Sequence, residues 1–231
     1  MYSSFSDAFQ LLETLDAKLL GIVFISLKVS LTALLIGSIV GIPLGSLIAA
    51  RQFPGRDLVV IILNSLMGVP TVIVGVVIYL LLSRTGPLGE LNWLFTTKGM
   101  VLAQTCLTIP LIAALTRQII EDTWQVHGET LTALRLRPLA KIKWLIWDAR
   151  FSLSITILAG FARAISEVGA VMIVGGNIDQ STRTMTTAIA LETSKGDLPL
   201  ALALGLVLLA VVLFANFVIF LIKLLAERRY G

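Results

Sequence analysis

The chain has 231 residues, 57% of them hydrophobic and only 14% charged, with a formal net charge of +4. Soluble domains run at roughly 45–50% apolar residues, so this composition, with a mean hydropathy of +0.94, excludes an ordinary soluble fold. One cysteine (Cys106) and one histidine (His127) exclude an intrachain disulfide and a metal centre of His/Cys type, which needs several such ligands.

Five apolar stretches reach or approach the roughly 20 residues that cross a hydrocarbon core about 30 Å thick. They are Val29–Ala50, Leu58–Ser83, Gly99–Thr116, Phe151–Ile178 and Leu198–Ile222. The expected fold class is therefore all-α: a polytopic membrane protein with spans over about 19–50, 57–83, 99–120, 150–177 and 198–223 in one membrane domain, 19–231. Residues 1–18 form a separate leading segment. They hold Asp7, Glu13 and Asp16 and no basic residue before Lys18, unlike a secretory signal with its positive start. Phe5, Phe9, Leu11, Leu12 and Leu15 suggest an amphipathic helix at the interface; a solvated leader fits equally.

Leu19–Ala50 as one helix would run about 48 Å at 1.5 Å per residue. That length calls for tilt, a protruding outer end, or a bend near Gly41, Pro43 and Gly45. Lys28 would reach the headgroups with its long stem. Arg51–Asp57 is a turn on Pro54-Gly55. The second stretch carries Gly68-Val69-Pro70-Thr71, where proline frees a carbonyl that a neighbouring helix or water must satisfy. This reads as a packing kink or as the lining of a cavity. Arg84–Lys98 is a loop. Gln104, Thr105 and Thr108 in the third stretch are polar side chains expected to face another helix or a path rather than lipid.

Between the third and fourth stretches lies the charged segment Glu121–Arg150. After Gly128, Glu129 to Leu136 is expected as a short separate helix, with Pro138 marking a break or a new start. Such a helix suits docking into another protein, or lying on an anionic membrane surface. Within the fourth stretch, the segment Ala159–Ile178 carries Arg163 and Glu167 in its middle, each costing about 2.5–3.5 kcal/mol at a helix centre. Their i,i+4 spacing puts both on one face, where they can neutralise each other. Small residues around them, Gly160, Ala164, Ser166 and Gly169 among others, permit close helix approach. The expectation is a structural or gate-forming pair on a helix beside a polar path; Arg163 as an anion ligand is the competing reading.

Basic residues fall eleven on one side of this five-span scheme and five on the other. The richer side is expected to be cytoplasmic, placing the amino terminus outside and the carboxyl terminus inside the cell membrane.

Two segments carry a resemblance. Glu129-Thr-Leu-Thr-Ala-Leu-Arg-Leu-Arg resembles the coupling loop of ATP-binding-cassette (ABC) importer permeases, Glu-Ala-Ala-x-x-x-Gly. Glu129 and Leu134 fit; Thr130 and Leu131 replace the alanines, Arg135 replaces the glycine, and Asp148 stands where proline is usual. Gly160-Phe-Ala-Arg-Ala-Ile-Ser-Glu-Val-Gly169 and the following Gly-Gly-Asn177 resemble the fourth span of the oxyanion permeases (type I importers for molybdate, sulfate and tungstate). The Ile165-Ser-Glu-Val-Gly-Ala170 variant, Gly68-Val-Pro-Thr-Val-Ile-Val-Gly75 and Leu81-Leu-Ser-Arg-Thr-Gly-Pro-Leu-Gly89 are most similar to the tungstate permeases.

The resemblance implies a permease subunit that imports tungstate, or else molybdate or sulfate, with ATP hydrolysed elsewhere. This chain has no G-x-x-x-x-G-K-[ST] to cradle ATP phosphates, and no cofactor of its own is expected. The implied partners are a second copy of the chain, two cytoplasmic ABC ATPase subunits, an extracytoplasmic oxyanion-binding protein and the bilayer, with no nucleic acid. Within the coupling loop, 121–149, the implied ATPase-contacting residues are Glu129, Ala133, Leu134, Arg135, Leu136 and Arg137. Candidates for the path or gate are Arg163, Ser166, Glu167, Gly169, Pro70 and Gln104. A stand-alone secondary transporter would need more intramembrane carboxylates than Glu167. An intramembrane enzyme would need a nucleophile–base set that His127 and Cys106, on different segments, do not make.

Overall fold

The computed structural model describes residues 2–14 and 16–230, with residues 2–6, 9 and 225–230 described by their backbone alone. Among these the chain forms α-helices, one 3-10 turn and no strand. The helices are α1 (Tyr2–Glu13), α2 (Ala17–Ala50), α3 (Arg56–Met67), α4 (Thr71–Leu82), α5 (Thr97–Ala133), α6 (Pro138–Asp148), α7 (Arg150–Ile165), α8 (Gly169–Gly175), α9 (Met185–Lys195) and α10 (Leu198–Tyr230). The 3-10 turn is Gly89–Leu91. Phe5, Phe9 and Leu15, on which the interfacial reading of the leader rests, lie outside the described side chains.

Among the described residues, three helices are long and apolar enough to cross a membrane alone: α2, α5 and Leu198–Leu224 of α10. Counting the interrupted pairs α3/α4 and α6/α7 as one span each raises the number to five. The chain is a multi-pass α-helical membrane protein. Such a chain can bury its backbone polar groups in lipid only by bonding them within helices, so long uninterrupted helices are the default. The interruptions therefore carry the information.

The chain divides into two compact units, with α2, α5, α7 and α10 passing through both. The first comprises Met1–Ala33, Pro70–Thr105 and Phe161–Ala215. Here α4 packs along α8, and the contact is close: a Cβ on Gly75 would lie 2.8 Å from the Ala170 Cα. Val29, Met100 and Val171 form a buried cluster beside it. Thr184 caps α9, exchanging hydrogen bonds with Thr187 in a capping box, and Gly196 ends α9 in the left-handed region (φ 83°), where glycine pays no Cβ penalty.

The second unit comprises Leu34–Val69, Cys106–Gly160 and Asn216–Gly231. Its seam is a run of Gly37, Gly41 and Gly45 on α2, one every four residues and hence on one face. Each meets α5: a Cβ on Gly37 would fall 2.7 Å from Thr108 Cγ2, on Gly41 3.0 Å from Ile112, and on Gly45 2.3 Å from the Ala113 carbonyl oxygen. Lipid is as apolar as a leucine side chain, so helices in a bilayer associate through such close backbone approach rather than through the hydrophobic effect. α2 remains one helix through Gly41, Pro43 and Gly45, where a bend was one of three expectations for its length. At one end of the unit, α6 and the start of α7 pack on α5 through Ile120, Leu131, Leu145, Ala149 and Leu153.

Three sequence expectations need correction. The second apolar stretch is two helices, α3 and α4, separated at Gly68-Val69-Pro70. Pro70 has no N–H to donate and adopts an extended conformation (φ −57°, ψ 124°), its carbonyl accepting from the Ile73 amide at 2.9 Å as α4 restarts. The separate helix expected after Gly128 does not form; α5 continues through it to Ala133. A glycine inside a helix costs only about 1 kcal/mol, and here the Trp124 indole lies 2.8 Å from where a Cβ would sit. The fourth stretch is also broken, at Ser166–Val168, between α7 and α8.

Candidate functional site

The path candidates Pro70, Gln104, Arg163, Ser166, Glu167 and Gly169 all fall in the first unit. Most of them gather around the break between α7 and α8. α7 ends at Ile165, so Arg163 and Glu167 do not share a continuous helix face, and no ion pair joins them. The Arg163 side chain is exposed, whereas Glu167 is only 7% exposed. The expected self-neutralised pair is thereby overturned: the i,i+4 argument holds only on an unbroken helix.

Glu167 instead serves the break. Its Oε1 accepts the Ala170 amide at 3.1 Å, satisfying one of the free N–H groups at the start of α8 and placing negative charge at a helix amino terminus. Its own amide donates to the Ala164 carbonyl at 3.2 Å. That same carbonyl accepts Gln104 Nε2 at 2.9 Å, a buried bond from α5. The Glu167 carbonyl accepts the Thr186 hydroxyl of α9 at 2.7 Å. A break within an apolar stretch is tolerated only when neighbouring side chains take up the backbone groups it frees. Gln104, Thr186 and Glu167 do so here.

Gly169 begins α8 against the start of α4: a Cβ on it would lie 3.0 Å from Thr71 Oγ1 and 3.3 Å from the Val72 amide nitrogen. Pro70 directly precedes that point. Structure thus brings Pro70, Gln104, Glu167 and Gly169 into one polar seam, with Ser166 exposed at the break and Arg163 turned away to the surface. Thr186 belongs to the seam, and the sequence reading missed it. It lies in a Thr/Ser-rich connection whose composition suggests only a loop. Ser26 adds a second tie, accepting the Met185 amide at 2.7 Å from the same region of α9.

The coupling candidates Glu129, Ala133, Leu134, Arg135, Leu136 and Arg137 lie in the second unit, at the turn between α5 and α6. Glu129 and Ala133 end α5. Arg135 sits in the left-handed region (φ 49°), its amide donating to the Thr132 carbonyl at 3.0 Å, and Arg137 is extended before Pro138 opens α6. Proline suits a first helical position because its missing N–H would have no partner there. Glu129, Ala133, Leu134, Arg135 and Arg137 are all exposed, whereas Leu131 anchors the turn in the core. Glu129 lines an open groove of about 610 Å³ with Trp124, Gln125, Gly128 and Thr132.

Two sets of contacts brace this end of the unit. His127 Nε2 lies 3.6 Å from Asp148, with its ring edge-on to Trp144, and the Lys141 ammonium sits 5.5 Å over the Trp124 ring while donating to Thr132 Oγ1. Glu121 of α5 binds both Arg56 of α3 and Arg117 one turn before it, and Arg56 also donates to the Ile48 carbonyl at 3.1 Å. In the sequence Arg56 and Arg117 counted only as topology signals. Their pairing across 65 residues has no local signature.

No family model matches the chain. It is 43% identical to the tungstate uptake system permease protein TupB of Peptoclostridium acidaminophilum, over 94% of this chain and 95% of that one. It is 38% identical to a probable anion ABC transporter permease protein of Haloferax volcanii, over 86% and 88%. Similarity is lower, 25% over 84% and 72%, to the sulfate transport system permease protein CysT of Escherichia coli. Such identity over nearly full length, on a chain of membrane-spanning helices, shows that the protein belongs to the permease subunits of the oxyanion ABC importers.

Proposed function

We propose that this permease admits tungstate. The observation that carries the reading is the 43% identity, over 94% of the chain, to a protein named as a tungstate uptake permease, against 25% to a sulfate permease. Two copies of the chain form the transmembrane pathway, two cytoplasmic ATPase subunits supply the energy, and an extracytoplasmic binding protein delivers the anion. The amino terminus lies outside and the carboxyl terminus in the cytoplasm, as the eleven-to-five distribution of basic residues supports.

The turn between α5 and α6, with Glu129 and the exposed Leu134, Arg135 and Arg137, docks on the ATPase. It is short, carries charge and apolar surface together, and is anchored from behind by Leu131. Closure of the ATPase dimer pulls on this turn, and the long α5 transmits the movement toward the seam where Gln104 holds the Ala164 carbonyl. Glu167 and Gly169 with Pro70 form the element that gates the path. Glu167 acts by holding the break in α7/α8 rather than by binding the anion, because a buried carboxylate repels an oxyanion.

Isothermal titration of the oxyanion-binding protein that serves this permease tests the substrate assignment. Tungstate is expected to bind most tightly, with molybdate weaker and sulfate weakest. Equal or tighter binding of sulfate would reassign the system.

A further inference from the structure

One face of α6 is used neither by the packing of the second unit nor by the docking turn. The inner face carries Leu145, with Ala149 just beyond, into the cluster of Ile120, Leu131 and Leu153. The outer face carries Leu139, Lys143 and Trp147 at four-residue spacing, which aligns them in one stripe. Lys143 is exposed, and Leu139 and Trp147 are 68% and 69% exposed. Arg150, the first residue of α7, joins that stripe: its guanidinium stacks 4.9 Å from the Trp147 ring centre and donates to the Trp147 carbonyl at 2.6 Å.

The placement of this stripe follows from the corner at Ala149. α6 and α7 meet at 71°. α7 carries the apolar run from Phe151 onward into the bilayer, so a steeply crossing α7 lays α6 close to the membrane plane. A large exposed apolar patch marks an interaction surface. Tryptophan favours the headgroup level, and basic residues next to it favour anionic phosphate. The one acid on α6, Asp148, is turned to His127.

We propose that α6 is an interfacial anchor that selects anionic phospholipid. Leu139 and Trp147 enter the headgroup boundary, while the exposed Lys143 holds lipid phosphate and the positive charge of Arg150 lies beside it. This contact is separate from ATPase docking, which uses the turn ahead of Pro138.

The test uses the permease assembled with its ATPase in lipid nanodiscs containing brominated phosphatidylglycerol or brominated phosphatidylcholine. Trp147 emission is obtained as the difference between wild type and Trp147→Phe. Quenching by the brominated phosphatidylglycerol is expected to exceed that by phosphatidylcholine by about two-fold or more, and Lys143→Glu is expected to abolish the excess. Lys143 is exposed, so Lys143→Glu keeps the comparison available on whole-protein emission if Trp147→Phe misfolds. Equal quenching by the two lipids overturns the proposal. So does a Trp147 that aqueous iodide quenches in the lipid-embedded permease and only added ATPase shields.

Discussion

The Thr186 hydroxyl donates to the Glu167 carbonyl at 2.7 Å, tying α9 to the middle of the three residues that stand between α7 and α8. Both residues are buried, so water has little access to replace the bond. Thr186→Val keeps the shape and removes the donor. It leaves a buried carbonyl without this partner, which costs about 1–3 kcal/mol. The expected outcome is a permease that still inserts but melts several degrees lower and transports poorly, as read by fluorescence-detected thermal shift and vesicle uptake. Thr186→Ser, which retains the hydroxyl, is expected to stay near wild type.

Glu167 holds the amino terminus of α8 through the Ala170 amide. Glu167→Ala removes that cap and is expected to cost about 1 kcal/mol, whereas Glu167→Gln keeps an accepting oxygen and should cost less. Arg163 makes no pair with it. A double-mutant cycle with Arg163→Ala is therefore expected to show additivity within about 0.3–0.5 kcal/mol. A larger coupling energy would restore the ion pair that the helix break removes.

The glycine face of α2 gives a packing test. Gly45→Val would drive a side chain into the Ala113 carbonyl, 2.3 Å from the Cβ position, and backbone cannot yield as a flexible side chain can. Overpacking of this kind costs about 1–3 kcal/mol or more, and loss of the monodisperse peak in size-exclusion chromatography is expected. Gly21 lies in the same helix with nothing within 4 Å of its Cβ position. Gly21→Ala is expected to be neutral or to gain up to about 1 kcal/mol of helix stability.

These three cases show what was legible in the sequence. Composition and apolar run length revealed the membrane class, and the motif around Arg163–Gly169 revealed the family, because both are local patterns. Arg163–Glu167 misled because spacing predicts a shared face only if the helix continues. Small residues and a following Val-Gly do not show, in sequence, where the chain stops bonding to itself. In the sequence, Gly41 and Gly45 suggest only a bend, because the helix that Gly37, Gly41 and Gly45 pack against lies about seventy residues on, in α5. Thr186 and Glu121 act on partners distant in sequence, and only the fold brings those together.

Glu121 bridges Arg56 and Arg117, holding α3 against α5. Glu121→Ala takes the shared carboxylate from two guanidinium groups that are only 16% and 14% exposed, leaving Arg56 its bond to the Ile48 carbonyl. Losing hydrogen bonds to charged groups costs about 1.5–3 kcal/mol, so a lowered melting temperature is expected. Arg117→Ala leaves Arg56 with its partner and is expected to be milder. Equal effects would show that the bridge does not act through both arginines.

Glu129 lies four residues before the end of α5, exposed, beside the turn proposed to dock on the ATPase. Glu129→Lys is expected to leave the permease folded but to lower recovery of the ATPase in affinity copurification by at least about ten-fold, the equivalent of 1.4 kcal/mol. Full recovery would remove this turn from the interface.

The central claim is that this chain is the membrane path of an ATP-driven oxyanion importer. The most direct measurement is tungstate accumulation in proteoliposomes holding the permease with its ATPase and binding protein. Accumulation is expected only when ATP and all three components are present, with excess molybdate competing weakly and sulfate hardly at all. Uptake that proceeds without the ATPase, or that is driven by an ion gradient in place of ATP, would contradict the account.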